Sequence, residues 1–416
     1  MTEPRRLRTL PVPGGPAVAQ LFPALEDVLA DRGPAWLPVP ADDPARTRLL
    51  VESQRPGEPI DPRAVLVVST SGSTGTPKGA MLSAAALRAS AAATDRVLGG
   101  PGRWLLALPA HHIAGLQVIL RSLRAGFAPV VMDLTGGFDP AGLPSAVRAC
   151  VAGGVRGYTS LIPGQLAKVL DEGSPEAVAA LARLDAILLG GAAAAPELLA
   201  RAADAGIRVV RTYGMSETAG GCVYDGLPLD GVRIRIGDDD TAAADDDDDD
   251  DDDDTVGTPG TPGRVWLAGP QLALGYRNAP GHPAFARAGW FRTDDAGRLD
   301  ETGRLRILGR LDEAISVGGL TLLPQTVEDA LRRYPAVVDV VVVGIPDTRL
   351  GARPVAAVTL RSPAGPDELR AHVTAELGAH SAPAAVAVLP VLPTLPGGKI
   401  DRRAVARGFV DGTISE

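Results

Sequence analysis

Apolar residues in the first half of the chain fall into short runs separated by alanine- and leucine-rich, helical-looking stretches. AVLVV (64–68) precedes SAAALRASAAATDRVL (83–98), and WLLALP (104–109) precedes AGLQVILRSLRAG (114–126) and FAPVVMD (127–133). AILLG (186–190) and IRVVRTYG (207–214) are further runs that end in loops. Ser83 is placed to cap the first of these helices. This strand–helix rhythm over 62–215 predicts an α/β domain with a mostly parallel, helix-covered sheet. Ligand loops then belong at the C-terminal ends of its strands. From about residue 229 the runs shorten to GVRIRI, RVWLAG, WFRTDDAGRL and GRLRILGR, which suits an antiparallel or barrel-like β subdomain. Beyond Gly309, TLLPQTVEDALRRY reads as a helix with Pro324 near its start, followed by strands VVDVVVVGI and RPVAAVTL, helix DELRAHVTAEL and strand AAVAVL. The expected organisation is a large N-terminal domain over 1–309 and a small α+β domain over 310–416, about 105 residues and enough to fold as a unit.

Composition changes this picture in three places. The 416 residues carry a formal charge of −9, but 245–254 are ten consecutive aspartates, and removing ten negative charges from −9 leaves +1. The near-neutral body argues against electrostatic binding of nucleic acid or a membrane surface. The Asp run repels itself and buries nothing, so 237–263 is expected to be a disordered insertion between paired strands. No run of 18 residues is apolar enough to cross a membrane, and the N-terminus lacks the apolar core of a signal peptide. The two cysteines, Cys150 and Cys222, make neither a disulfide framework nor a metal pattern, and a reduced, cytoplasmic setting fits. Finally, only three of 41 basic residues are lysines: Lys78, Lys168 and Lys399. In a chain that otherwise uses arginine, a lysine in a Gly-flanked loop is a candidate for work that needs a compact point charge. Lys78 and Lys399 meet that description, in TPKG and PGGKID, whereas Lys168 in QLAKVL reads as surface.

The densest chemistry lies at 69–82, STSGSTGTPKGAML, directly after AVLVV. Hydroxyls, glycine-rich backbone and one ammonium at a strand end make a concave anion site, and a nucleotide polyphosphate is its natural ligand. The spacing fits neither the Walker loop nor the dinucleotide fingerprint. The stretch closely resembles the phosphate-binding loop of the adenylate-forming enzymes: acyl-CoA synthetases, luciferases and peptide-synthetase adenylation domains. The resemblance spans roughly 60 to 405 and implies ATP contacts from Thr70, Ser71, Gly72, Ser73, Thr74, Gly75 and Lys78. TYGMSETAGG (212–221) resembles the family segment in which Tyr213 packs on the base and Gly214, Met215 and Ser216 meet the nucleotide. Glu217 would hold Mg²⁺ with Thr74, since a carboxylate beside a phosphate loop needs a bridging cation. LLGGAAAAPELL resembles the loop lining adenine and acyl group, through Gly190, Gly191 and Ala192. WFRTDDAG implies ribose contact from Asp295, with Asp294 where the family has Gly, and GRLDEAISVGG implies ribose contact from Arg310 and a hinge at Asp312. In LPTLPGGKIDRRA the resemblance makes Lys399 the residue bridging the substrate carboxylate and the α-phosphate, carried on a mobile lid.

The acyl pocket is assigned by the same resemblance to His112, Arg121, Ser160, Gly190 and Gly214, with His112 as its gate. Adjacent His111 and His112 diverge and have no carboxylate or thiol nearby, so a metal site is a poor reading. HHIAGLQVILRSL and YTSLIPGQLAKVL look most like the o-succinylbenzoate–CoA ligases of actinobacteria, which serve menaquinone synthesis. That sub-family implies a carboxylic acid, ATP and CoA as small-molecule partners, Gly318 and Gly319 presented to CoA, and a homodimer as an open option. Arg121 is the candidate partner for the acid's second carboxylate, with Arg124 as its surface-facing neighbour. About 60 residues precede the loop, fewer than in most relatives. An enzyme that loads a carrier protein and a catalytically silent nucleotide sensor are the competing readings. Deleting 245–254 is expected to leave turnover and melting temperature nearly unchanged; a large loss of either would make the Asp run structural.

Overall fold

The computed structural model describes residues 4–70, 76–237, 255–256, 258–394 and 400–415. The chain forms two compact units: one of 1–235, 250–256 and 266–292, and one of 236–249, 257–265 and 293–416.

In the first unit, β1 (Leu7–Val12), β2 (Ala35–Pro40), β3 (Ala64–Ser69) and β4 (Gly79–Ser83) make a four-stranded sheet in that order. The first three run parallel and β4 returns antiparallel to β3. α1 (Phe22–Leu29), α2 (Pro44–Gln54) and α3 (Ala84–Leu98) alternate with them. α2 starts where Asp43 accepts from the Arg46 N–H, with Pro44 at its first position. α3 starts where Ser83 accepts from the Ala86 N–H and stops at Gly99. Every residue of AVLVV is fully buried, and Ala64 and Val67 pack with Leu7, Leu37 and Leu50. Each such side chain contributes about 1.5–3 kcal/mol. The roughly 60 residues ahead of the loop therefore build two strands of the loop's own sheet.

The second sheet comprises β5 (Arg103–Leu106), β6 (Val130–Val131), β7 (Gly157–Leu161), β8 (Ala186–Leu189), β9 (Val209–Met215), β10 (Gly220–Tyr224) and β11 (Leu227–Pro228). Its order is β11-β10-β9-β8-β7-β5-β6, parallel from β9 to β6, with β10 and β11 antiparallel. α4 (Ile113–Arg124), α5 (Leu143–Cys150), α6 (Pro163–Glu172), α7 (Pro175–Leu181) and α8 (Pro196–Asp204) connect the strands. Leu105, Leu143, Leu166 and Ile187 centre the core between helices and sheet.

β12 (Arg233–Gly237), β13 (Thr255–Val256), β14 (Gly263–Ala268), β15 (Trp290–Leu299) and β16 (Leu305–Arg310) form a sheet in the order β13-β12-β14-β15-β16. Thr255 and Val256, inside the segment read as an insertion, pair in parallel with Ile234 and Arg235. The Asp run lies outside the described residues. The last sheet has β17 (Ile315–Val317), β18 (Leu320–Leu322), β19 (Val337–Asp347), β20 (Gly351–Leu360) and β21 (Val386–Val388), with α9 (Pro324–Arg332), α10 (Pro366–Leu377) and α11 (Arg402–Asp411). Val327, Leu331, Val340, Val358 and Leu369 form its core.

The turn at the start of β4 is packed too tightly for any side chain. A Cβ on Gly79 would stand 2.0 Å from Gln54 Oε1 and 2.7 Å from Val67 Cγ1. Gln54 is only 1% exposed, so it has little room to retreat. Gly79→Ala should cost about 1–3 kcal/mol. Thermal or urea unfolding would read this directly, and an unchanged midpoint would mean that Gln54 and β3 yield freely.

Candidate active site

The loop after β3 is closed at its base by backbone and side chains together. The Thr70 N–H donates to the Lys78 carbonyl at 2.8 Å, so the chain leaves and re-enters the sheet at neighbouring points. The Pro77 carbonyl accepts from Gln54 Nε2 and from Asn278 Nδ2, each at 2.9 Å, and Asn278 Oδ1 accepts from the Gly79 N–H at 3.1 Å. Ser71, Gly72, Ser73, Thr74 and Gly75 lie outside the described residues. Thr70 Oγ1 is shielded from solvent with no hydrogen-bond partner among the described residues.

Asn278 is there because residues 274–277 lie along β4. Met81 N–H bonds the Gly275 carbonyl, Leu274 N–H the Met81 carbonyl, and Arg277 N–H the Gly79 carbonyl. This alignment sets Tyr276, 4% exposed, beside the loop's lysine: Lys78 Nζ lies 4.9 Å from the centre of the tyrosine ring. The phenol of Tyr276 donates to Glu217 Oε1 at 2.5 Å. His282 stands edge-on to the same ring, centroids 4.9 Å apart, and its Nε2 is 3.4 Å from Lys78 Nζ. One aromatic ring therefore joins the loop lysine to the buried Glu217 carboxylate, 6% exposed.

Glu217 owes its position to a tight turn after β9. Thr218 Oγ1 accepts from the Met215 N–H at 2.9 Å and contacts the Gly220 carbonyl at 2.7 Å, and Ala219 takes a left-handed φ of 51°. The Ala219 carbonyl accepts from Gln117 Nε2 at 2.6 Å and from Ser90 Oγ at 3.2 Å, both buried on α4 and α3. Tyr213 and Met215 end β9 half-buried, Gly214 between them is exposed, and Ser216 is buried. Gly190, Gly191 and Ala192 follow β8, with Gly190 beside Thr212 and Gly191 beside Ile162. Ser160 lies near the end of β7, 7% exposed, and exposed His112 begins α4 with its ring 4.2 Å from His111. Burial holds the His111 imidazole below its usual pKa. These residues gather along the C-terminal edge of one parallel sheet.

Arg121 is turned into the protein interior. It is 3% exposed, its guanidinium lies 5.2 Å from the Trp104 ring centre, and Nη2 is 3.4 Å from Tyr224 Oη. Its Nε has no partner among the described residues. Asp95, 5% exposed, stands close by, paired with Arg124 at 3.1 Å, and burial raises its pKa against the pull of Arg124 and Arg121. Arg124 is thus an ion-pair partner, 30% exposed. The thiols contribute no nucleophile: burial pushes Cys150 up to about 11 and Cys222 up to about 12.

In the second unit, Asp295 on β15 lies opposite Arg310 on β16, with Oδ1 3.6 Å from Nη1. Arg310 also grips Asp312 with two parallel bonds of 2.8 Å, which raise the arginine pKa. Asp294 meets Arg264 at 3.5 Å. Gly318 and Gly319, at φ 57° and 86°, form the two-residue turn between β17 and β18, where only glycine takes both angles readily. Lys399 lies outside the described residues. Three residues further on, Arg402 Nη2 binds Glu328 Oε1 at 2.7 Å, fastening the start of α11 to α9.

The donor set fits a nucleotide with a hard cation. Glu217 offers carboxylate oxygen beside a lysine and a hydroxyl-rich loop, and Mg²⁺ is usually held by one or two carboxylates plus substrate phosphates. Sequence reasoning missed Tyr276, Asn278, Gln54 and Gln117. The only local signal was the apolar LALGY run followed by polar RN, which does not reveal a partner 59 residues upstream.

Comparison with known proteins agrees with this geometry. A family model for the AMP-binding enzymes matches residues 18–277, and one for the AMP-binding enzyme C-terminal domain matches 326–399. The probable 2-succinylbenzoate–CoA ligase of Mycobacterium tuberculosis is 49% identical over 97% of this chain and 98% of its own length. The 2-succinylbenzoate–CoA ligase of Salmonella typhimurium is 34% identical over 82% of this chain and 68% of that protein. The solved o-succinylbenzoate CoA synthetase of Bacillus subtilis, in complex with ATP and magnesium ion, aligns at a TM-score of 0.75 and 25% identity, covering 96% of this chain and 89% of that one. ATP-bound MatB of Rhodopseudomonas palustris aligns at 0.78 and 19% identity over 99% and 90%, a likeness of fold. With matching models over most of its length and a near full-length relative at 49% identity, the chain belongs to the AMP-binding enzyme family.

Proposed function

We propose that this chain is an AMP-forming acid–thiol ligase that joins 2-succinylbenzoate to CoA, a step of menaquinone synthesis. The observation that carries the chemistry is the cluster of Lys78, Tyr276 and Glu217 at the closed base of the hydroxyl-rich loop. The activities named for its relatives in Mycobacterium tuberculosis and Salmonella typhimurium support the acid. ATP would lie along the C-terminal sheet edge, its phosphates on Thr70–Gly75 and Lys78, its base against Tyr213 and the Gly190–Ala192 loop. Mg²⁺ held by Glu217 and Thr74 would neutralise the phosphate oxygens. A carboxylate oxygen of the acid attacks the α-phosphorus as the bond to pyrophosphate breaks. Lys399 bridges the two anions as charge builds on the phosphoryl oxygens. The CoA thiolate then attacks the acyl carbon and AMP leaves.

The remaining assignments follow from this scheme. Asp295 and Arg310 hold the ribose, and Asp312 is the pivot about which the small domain from 310 onward exchanges Lys399 for the Gly318–Gly319 turn. His112 and Ser160 line the acyl pocket; Arg121, read from the sequence as the partner of the acid's second carboxylate, is instead buried at the far end of α4 beside the start of β5, against Trp104 and Tyr224, and is not assigned to the pocket. The described residues contain no helix long and apolar enough to span a membrane, and the reduced setting read from the two unpaired cysteines supports placing the enzyme in the cytoplasm.

Release of AMP with a panel of aromatic and fatty acids, each with CoA, tests the substrate. Strong preference for 2-succinylbenzoate is expected, and equal rates with benzoate would reject it. Lys399→Ala should abolish adenylation while sparing CoA transfer from supplied acyl-adenylate, and equal loss of both would remove its assigned role. Tyr276→Phe keeps the ring beneath Lys78 but deletes the bond to Glu217. It should raise the Mg²⁺ needed for half-maximal ATP binding by about tenfold, since hydrogen bonds to charged groups are worth about 1.5–3 kcal/mol. Calorimetric titration showing wild-type Mg²⁺ dependence would leave Tyr276 a packing residue only.

A further inference from the structure

We propose that His282 is an additional phosphate-binding residue, its Nε2–H joining the Lys78 ammonium to hold the terminal phosphates of ATP or free pyrophosphate. The inference rests on the ATP-dependent reading above, but it concerns a residue that no motif singled out.

The argument begins with the tautomer. His282 stands just ahead of the short turn Pro283–Phe285, and its Nδ1 accepts from the Ala284 N–H at 3.2 Å. A backbone N–H can only donate, so Nδ1 carries no proton. The neutral ring must then be protonated on Nε2. That Nε2 lies 3.4 Å from Lys78 Nζ, and an ammonium has three donors and no acceptor. The two groups face each other donor to donor, so neither satisfies the other. An anionic oxygen lying against both would accept from both.

The placement is held on several sides. The imidazole stands edge-on to Tyr276 at an interplanar angle of 83°, and Lys78 lies 4.9 Å from the centre of that same ring. Tyr276 is itself fixed by its bond to Glu217 and packs edge-on to Phe285 at 5.2 Å. The neighbouring Asn278 ties the same segment to Pro77 and Gly79, at the closing end of the phosphate loop. His282 is half-buried, so its ring is shielded on one side and reachable on the other. The pair of donors thus sits beside the loop expected to take the polyphosphate and, through Tyr276, beside Glu217.

His282→Asn separates this role from the cap. Asparagine is a favoured N-cap, so the acceptor for Ala284 N–H is retained while the distal donor is lost. Isothermal titration of the full chain with Mg·ATP, pyrophosphate and AMP would be compared with wild type. The dissociation constants for ATP and pyrophosphate should rise about tenfold, as expected for loss of one charge-assisted bond, while that for AMP stays within about twofold. His282→Lys, which restores a donor without the cap, should recover much of the pyrophosphate affinity. Unchanged pyrophosphate affinity in both variants would overturn the inference. So would equal weakening of AMP and ATP, which would mark a general disturbance. If wild type binds none of the three ligands, the ATP reading itself falls and the inference with it.

Discussion

Everything in the first unit that bears on nucleotide chemistry depends on how one loop is closed. A loop can aim backbone N–H groups at an anion only if its two ends are fixed, and here the fixing is done by the carbonyl of Pro77. It accepts from Gln54 and Asn278, which reach it across 23 and 201 residues of sequence. Gln54 is the last residue of α2 and almost wholly buried, and Asn278 follows a segment aligned along β4. The absence of a side chain at Gly79 is the complement of this arrangement, since the space it leaves is filled by Gln54. The same alignment that delivers Asn278 also delivers Tyr276, so the anchoring of the loop and the orientation of Glu217 share one cause.

What was legible in the sequence is what is local in space. The buried strand AVLVV, the loop after it and the TYGMSET turn each lie within a few residues, and the strand–helix rhythm correctly implied parallel strands with these loops at their C-terminal ends, although the stretch read as one sheet forms two, with AVLVV in the four-stranded sheet and TYGMSET after β9 of the seven-stranded one. The scarcity of lysine singled out Lys78 from composition alone. The partners of those motifs were not legible, because they arrive through tertiary packing. Glu217 meets Tyr276 from 59 residues away, Lys78 meets His282 from 204 residues away, and Ala219 is held by Gln117 and Ser90 from two separate helices. Arg121 was visible as a basic residue in an apolar helix, but its surroundings, Trp104 and Tyr224, belong to strands on either side of it in sequence. Likewise Thr255–Val256 looked like part of a low-complexity insertion, and the pairing with Ile234 and Arg235 appears only once the sheet is formed.

The second unit uses the same economy of charge. Arg310 is shared between Asp295 on the neighbouring strand and Asp312 two residues on, so the residue expected to touch ribose and the residue expected to pivot are bound to one guanidinium. A planar fork with two parallel bonds fixes direction as well as distance, which lysine would not do. Arg402 plays a comparable part next to the segment that carries Lys399, anchored on Glu328, which is 1% exposed and also accepts from the Val342 N–H. Both arginines tie a functional segment to a stable element instead of leaving it to the loop around it.

The two cysteines have a practical consequence. Cys150 lies at the end of α5 and Cys222 in β10, and both are almost completely enclosed. A chromogenic disulfide reagent added to the folded protein will consume the thiol of free CoA and leave the polypeptide untouched, so thioester formation can be followed as thiol disappearance without a protein background. The same reagent becomes a clock once the structure opens. Because Cys222 sits on the hairpin partner of the Tyr213–Met215 strand while Cys150 sits on a helix at the opposite side of that sheet order, the labelling times of the two report separately on the opening of the nucleotide edge and of the far edge.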